Sequence, residues 1–506
     1  MKRILILLPF SSFVVVFFLC TVSHSTEIEI IYASRLREIQ PLKDNVGGVA
    51  ELATLVKEVR ANNANTLFLH GGDFLAPSVL SSFDKGSHMI DILNLIEPDA
   101  MSISEREFAF KEDNLIIRVS EADFPFVSSN STDSLTGEPL KGVEKDLCYT
   151  FGEHKVCVIS ALDPKVVNYY QVNRLKVVEG SRWISAMVTS LKKQGADFIV
   201  LFTAHEIPEI ANLMEAEGID VVLHTDSNEY SEKRNSGGLY VKQSSGQGKA
   251  TKISVDLEGH GDSAKKKVSS ESVVLKNFPK DKEVEQRIQY YEEHFSSVLK
   301  VFVCTTLTPV EVSRAQVRTA ENSYGNLAAD ALRDRLGTDI AFINAGSIRA
   351  EIRYPAGYQF TRKDIQSLMP FGNKAVKISL MGSDLYDVFE NSICFIEEVR
   401  GRFLQVSGIE VEYCPRMKAG HRVVSLKVGG QPIDENKVYT IATDEYVANG
   451  GDGYTVLKDR GIIHEVREYL SVWEIVRLYA EKKKVIAPKI EGRIVFHCAP
   501  TLPLEM

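Results

Sequence analysis

The chain has 506 residues, of which 44% are hydrophobic and 25% charged, a composition that fits an ordinary globular protein and excludes a disordered or fibrous one. A formal net charge of −9 argues against a general nucleic-acid binder, although local basic clusters can still hold anions.

In chain order, Met1-Lys2-Arg3 leads into an apolar run from Ile4 to Leu19 and then small residues at Ser23 and Ser25. This is the pattern of a signal peptide over residues 1–25, cleaved near Thr26. The run is short for a spanning helix, and Cys498 to Met506 offer no hydrophobic tail for a lipid anchor, so a secreted, extracellular product without a membrane anchor is expected. The remaining chain, about 480 residues, exceeds what one hydrophobic core usually serves, and two domains or more are expected.

Short apolar runs at Thr66 to His70, Val156 to Ser160, Phe198 to Thr203 and Val221 to Leu223 alternate with amphipathic helical patterns and predict a layered α/β domain. With Cys20 removed, six cysteines remain, Cys148, Cys157, Cys304, Cys394, Cys414 and Cys498, and an even number in an oxidising compartment suggests disulfides. Cys148 and Cys157 flank Phe151-Gly152-Glu153-His154, which reads as a hairpin turn and makes them a candidate pair; the sequence does not pair the other four. Asn130-Ser131-Thr132 is a candidate glycosylation site.

Between His260 and Ser270 the chain turns polar and Lys-rich, which reads as a boundary, and Lys280 to Val303 carries a helical pattern that reads as a connector. The expected division is therefore 26–275, a connecting helix at 276–303, and a second domain at 304–506.

That second domain carries five phrases: Arg318 with Glu321-Asn322-Ser323-Tyr324-Gly325-Asn326; Asn344-Ala345-Gly346-Ser347-Ile348-Arg349; Met369-Pro370-Phe371-Gly372-Asn373; Phe403-Leu404-Gln405-Val406-Ser407-Gly408; and Tyr446 through Tyr454. In order and spacing they resemble the C-terminal domain of the 5'-nucleotidase/apyrase family. The resemblance implies an N-terminal metallophosphoesterase-like domain followed by a nucleoside-binding domain, with a base held between Phe371 and Tyr446. It further implies polar contacts from Arg318, Asn344 and Arg349, and ribose contacts from Asp452. Stacking between aromatic faces tolerates many bases, and paired guanidinium forks suit anionic oxygens.

In the N-terminal half, Gly47 to Thr54 and Leu69-His70-Gly71-Gly72-Asp73 resemble the family scaffold, but the two-metal chemistry does not carry over. The family's Asp-x-His falls on Arg35-Leu36-Arg37, and its Gly-Asn-His-Glu-Phe-Asp motif falls on Ser104 to Ala109, so that the catalytic His and Asp become Arg106 and Ala109 and a ligand Asn becomes Glu105. A ligand His aligns near Ala204, with His205 one step out of register, and the paired His of Gly-His-Ser-His become Asp226 and Asn228. Only Asp73 stands unchanged as a residual metal ligand. Guanidinium has no free lone pair and a fixed positive charge, so Arg35 and Arg37 repel a cation.

These arginines, with Arg106, are candidate phosphate contacts; the plainer alternative is surface arginines paired with Glu105 and Glu107. The expected function is a secreted, non-catalytic homologue that binds adenine nucleotides or nucleosides without a cofactor. The resemblance to salivary members of blood-feeding arthropods extends this to inhibition of platelet aggregation, by nucleotide sequestration or by occupying a host platelet receptor. The alternatives are a phosphohydrolase acting on ATP, ADP or AMP with a divalent metal, and an immunomodulatory scaffold.

Overall fold

A computed structural model describes residues 25–498 except 42–45, 171, 208–209, 226–229, 236–237, 244, 246–247, 262–263, 350, 459 and 461–469. The expected leader with Cys20, and Asp226 and Asn228, lie outside the described residues.

The N-terminal half is two sheets stacked face to face with helices outside. One sheet has seven strands, Lys265–Val274, Lys249–Glu258, Thr26–Ala33, Thr66–His70, Ala100–Ser102, Phe126–Val127 and Val143–Glu144 in spatial order. The other has six, Ser231–Asn235, Gly238–Lys242, Val221–His224, Phe198–Thr203, His154–Ala161 and Leu147–Phe151. Their facing sides bury Ile28, Ile30, Tyr32, Leu67 and Leu69 against Val156, Val158, Phe198, Val200 and Phe202. The central strands Thr66–His70, Phe198–Thr203 and Val221–His224 are buried on both faces, which is why they appear in the sequence as continuous apolar runs. The outer faces are covered by Val49–Asn62, Ser87–Asn94 and Lys111–Glu121 on one side and by Arg182–Lys193 on the other.

Two readings of the sequence need correction here. The stretch His260 to Ser270, read as a boundary, runs into an element of the first domain: Lys265–Val274 is the edge strand of the larger sheet, paired antiparallel with Lys249–Glu258 over its full length. Lys265 and Lys267 face solvent, as charged residues on an edge commonly do to prevent further pairing, while Lys266 turns inward to Asp220, so no apolar alternation marks the strand. Asn130, the glycosylation candidate, is 4% exposed; its amide nitrogen donates to the carbonyls of Leu162 and Val178 and its oxygen accepts the N–H of Leu162. That side chain ties two loops together and leaves no room for a glycan.

The helix Lys282–Leu299 follows, capped by the Asp281 carboxylate, which accepts the N–H groups of Glu283 and Val284. It packs beside Val49–Asn62 and is fixed to the N-terminal half by Arg287 and Tyr291, both donating to Asp91. The C-terminal half is built on one four-stranded sheet, Ala375–Met381, Val438–Asp444, Ile340–Asn344 and Leu404–Ser407, beside a second that ends on Ile494–Phe496. Helices Ser323–Leu336, Gly382–Ile393 and Val472–Lys483 complete its two cores.

The Glu321 to Asn326 phrase is an anchor for this architecture. Asn322 caps Ser323–Leu336 through the N–H groups of Tyr324 and Gly325, and Glu321 accepts N–H groups from Glu491 and Arg493 of the final strand region. A side chain at Gly325 would run into Gln405, with 2.5 Å between its Cβ and the Gln405 side chain.

Cys148 and Cys157 are bonded across directly opposed positions of the predicted hairpin. Cys414 and Cys498 form a second bridge across 84 residues, while Cys304 and Cys394 are free thiols. Because a long loop is constrained, Cys414→Ala should cost about 2–5 kcal/mol of stability, measured by urea denaturation; an unchanged midpoint would mean that the last strand is held by its ladder alone.

Candidate functional site

Two cavities share Glu105 in their walls, and the first of them lies where the halves meet. The first, of about 330 Å³, is lined by all six residues expected of the nucleoside pocket, Arg318, Asn344, Arg349, Phe371, Tyr446 and Asp452. The N-terminal half contributes Glu105, Arg106 and Tyr170 to the same cavity.

The pocket's local geometry follows from glycine placement. Gly450 and Gly453 flank Asp452, all three in the left-handed region with φ of 91°, 84° and 51° respectively, which folds the loop back on itself. At Gly451 a Cβ would sit 2.6 Å from the Tyr446 ring, so only glycine lets that ring lie over the loop. Asp452 then accepts from the Tyr446 hydroxyl at 3.0 Å and from the Asn344 amide at 2.7 Å, and its own N–H donates back to the Tyr446 oxygen at 3.1 Å. On the facing loop, Gly346 and Gly401 approach closely enough for an N–H···O bond of 2.7 Å, which brings Ser347 to the pocket and lets its hydroxyl donate to Asn344.

Arg349 lies 5.1 Å and Arg106 6.0 Å from the centre of the Phe371 ring, within cation–π range. Arg318 is buried, donates to the Val399 carbonyl and keeps its Nε without a partner. Burial lowers Arg349 to about 9, and the neighbouring guanidiniums of Arg106, Arg318, Arg37 and Arg314 push in the same direction. The mouth of this cavity therefore holds positive charge in excess of what its own carboxylates balance.

The second cavity, about 600 Å³, lies within the N-terminal half and is lined by Asp73, Glu105, His205 and Thr225 among others. Asp73 is placed by a tight turn at the end of Thr66–His70: Gly72 and Asp73 are both left-handed, and the buried Glu107 carboxylate accepts the N–H groups of Asp73, Phe74 and Ser104. Around Asp73 the three arginines converge. Arg35 Nε stands 3.1 Å from its carboxylate, Arg37 donates through Nε at 3.1 Å and through Nη2 to the other oxygen, and Arg106 Nε lies 3.8 Å away. Burial alone would raise Asp73, but Arg37, Arg106 and Arg35 outweigh it and hold the carboxyl below its ordinary value.

The alternative pairing with Glu105 and Glu107 is thus half right. Arg106 does meet Glu105 at 3.2 Å, whereas Glu107 is committed to backbone donors. None of the three arginines is a loose surface residue, with side chains only 17–23% exposed. Tyr170, which the sequence did not single out, receives a hydrogen bond from Arg106 at 3.0 Å and lines the first cavity. Its only sequence signal was a Tyr169-Tyr170 doublet with no recognisable motif.

A divalent metal does not fit this centre as it stands. Both Asp73 oxygens are occupied by guanidinium donors whose fixed charge repels a cation, and no metal-spaced cluster of His, Cys, Asp and Glu occurs here among the described residues. Ala109 offers no donor, Ala204 likewise, and His205 faces the cavity with its protonation disfavoured by burial.

Comparison with known proteins agrees with this architecture. Residues 302–459 match the model of the 5'-nucleotidase C-terminal domain. Among characterised relatives, Protein 5NUC of Lutzomyia longipalpis is 26% identical, over 88% of this chain and 86% of its own length. The 5'-nucleotidase of Homo sapiens is 27% identical over 90% and 87% respectively. Among solved structures, a 5'-nucleotidase precursor from Thermus thermophilus superposes with a TM-score of 0.74 at 23% identity, covering 94% of this chain and all of that one. A Staphylococcus aureus protein solved in complex with alpha-ketoglutarate gives a TM-score of 0.79 at 14% identity, covering 93% of this chain and 100% of that one.

The fold is thus a two-domain α/β architecture, an N-terminal metallophosphoesterase-like domain joined to a C-terminal 5'-nucleotidase domain. The chain is thus similar to 5'-nucleotidases over about nine-tenths of its length, and residues 302–459 match their C-terminal domain. Among the described residues, no helix is long and apolar enough to cross a membrane.

Proposed function

We propose that this chain is a secreted nucleotide-binding member of the 5'-nucleotidase family that holds its ligand between the two halves without a metal and without hydrolysing it. The base lies against Phe371 and Tyr446, the ribose hydroxyls meet Asp452 and Asn344, and the phosphates face Arg318, Arg349 and Arg106. The observation that carries this reading is the concentration of guanidinium charge at the mouth of the first cavity, where Arg106, Arg318 and Arg349 line its wall and the neighbouring guanidiniums add to the lowering that burial imposes on Arg349. An anion entering there would relieve repulsion between arginines as well as gain charge-assisted hydrogen bonds.

Arg35 and Arg37 belong to the same positive field but are spent on Asp73, so they neutralise phosphate from a distance. Of the three candidate phosphate contacts, Arg106 is therefore the direct one from the N-terminal half.

The test is calorimetric titration with adenosine, AMP and ADP in excess chelator, beside phosphate-release assays with Ca²⁺, Mg²⁺, Mn²⁺ or Zn²⁺ added. Binding that strengthens from adenosine to ADP, survives chelation and weakens with salt is expected, with no phosphate released. Absence of binding at millimolar ligand, or metal-dependent release abolished by Asp73→Ala, overturns the reading.

Such a protein would remove ADP only up to its own concentration. Its inhibition of platelet aggregation should therefore fade as ADP is raised above the protein, and persistent inhibition would point to a receptor instead.

A further inference from the structure

At the opposite ends of the same strands, roughly 20 Å from the cleft by strand rise, lies a second cluster of side chains with different chemistry. His154 opens the strand His154–Ala161, Asp197 immediately precedes Phe198–Thr203, and His260 sits in the turn after Lys249–Glu258. Each can offer one ligand atom, and the three atoms lie within 4.8 Å of one another.

Two observations distinguish this cluster from a chance meeting of polar groups. His154 is only 4% exposed, yet its Nδ1 has no hydrogen-bond partner and lies 3.8 Å from Asp197 Oδ2, too long for a hydrogen bond. The Asp197 carboxylate, also 4% exposed, is locked by the N–H of Lys155 on one oxygen and that of Gly261 on the other, leaving a lone pair on each. His260 Nδ1 stands 3.5 Å from Asp197 Oδ1, and the two imidazole rings are 4.9 Å apart. Ligands around a tetrahedral zinc, with bonds near 2.0–2.1 Å, are separated by roughly 3.3 Å, so the two histidine–Asp197 distances need to close by only a few tenths of an ångström and the widest separation by up to about 1.5 Å, within reach of a rotation of the exposed His260 ring.

We infer that His154, Asp197 and His260 form a zinc site. Two imidazoles and a carboxylate are a borderline donor set that suits Zn²⁺ in preference to Ca²⁺ or Mg²⁺, which take oxygen ligands. His260 Nε2 faces the Glu153 carboxylate at 3.3 Å, the outer partner that orients a metal-bound imidazole. Water takes the fourth position on the exposed side. The scaffold is stiff, since the hairpin carrying His154 is closed by the Cys148–Cys157 bridge. Because His154 and Asp197 belong to the six-stranded sheet and His260 to the turn beyond the seven-stranded one, a bound ion would clasp the two sheets at their shared end.

The site is tested on untagged, metal-stripped protein by calorimetric titration with Zn²⁺, by metal analysis after dialysis and by thermal melting. One equivalent of zinc, a melting temperature raised by zinc, and at least tenfold weaker binding in His260→Ala and in Asp197→Asn are expected. His260 is exposed, so His260→Ala keeps the fold and isolates the ligand. Failure of the folded wild-type chain to retain stoichiometric zinc, or undiminished binding in His260→Ala, overturns the assignment. Neither result depends on nucleotide binding in the interdomain cavity.

Discussion

Asp73→Ala is expected to cost about 3 kcal/mol of folding stability, the lower part of the range for breaking a buried ion pair, because the arginines around it keep some exposure to water. In a two-metal hydrolase the same change removes a metal ligand and should be read out first as lost activity. Here it removes the one carboxylate on which Arg35, Arg37 and Arg106 converge, leaving three guanidiniums to repel one another at short range. The two effects have opposite signs for the ligand. Stability falls, while affinity for an anionic nucleotide stays level or rises, since a competing negative charge has gone. Chemical denaturation and calorimetry with ADP on the same preparation measure both, and a variant that melts like the wild type would show that the arginines do not depend on Asp73.

The second large effect falls on the aromatic pair. Phe371→Ala and Tyr446→Ala should each weaken nucleoside binding by about 5- to 150-fold, from the roughly 1–3 kcal/mol that base stacking contributes. Tyr446 has two roles, because its hydroxyl also donates to Asp452 and accepts that residue's N–H. Tyr446→Phe keeps the ring and loses only these bonds, so it should retain most of the base affinity and lose discrimination between ribose and deoxyribose. Equal losses in Tyr446→Phe and Tyr446→Ala would assign the residue to loop support and remove it from stacking.

Much of this architecture could be read from the chain itself, for identifiable reasons. Phe198–Thr203 and Thr66–His70 were visible because strands buried on both faces are uniformly apolar. The Cys148–Cys157 pair was visible because a two-residue turn fixes which positions oppose each other. The six residues lining the first cavity were found through phrases that resemble a family, spread from Arg318 to Asp452, and no local periodicity would have brought them together.

What escaped notice depended on tertiary partners. The edge strand Lys265–Val274 has no buried face continuous enough to leave a pattern. Asn130 reads as a glycan acceptor until its amide is seen to bridge Leu162 and Val178. Cys414 and Cys498 meet only because Ile494–Phe496 returns alongside Glu410–Tyr413. Arg35, Arg37 and Arg106 were recognisable as unsuited to a metal, but their common partner was not, since Asp73 sits 36 residues beyond Arg37 on a different strand end.

The guanidiniums around Asp73 belong to the polypeptide and cannot dissociate. A metal-loaded cleft is only as positive as the surrounding fluid permits, and calcium-poor or citrate-rich surroundings would empty it. Covalently attached charge makes this cleft indifferent to such changes of medium, so its anion affinity should be the same in chelated plasma as in a calcium-replete buffer of equal ionic strength.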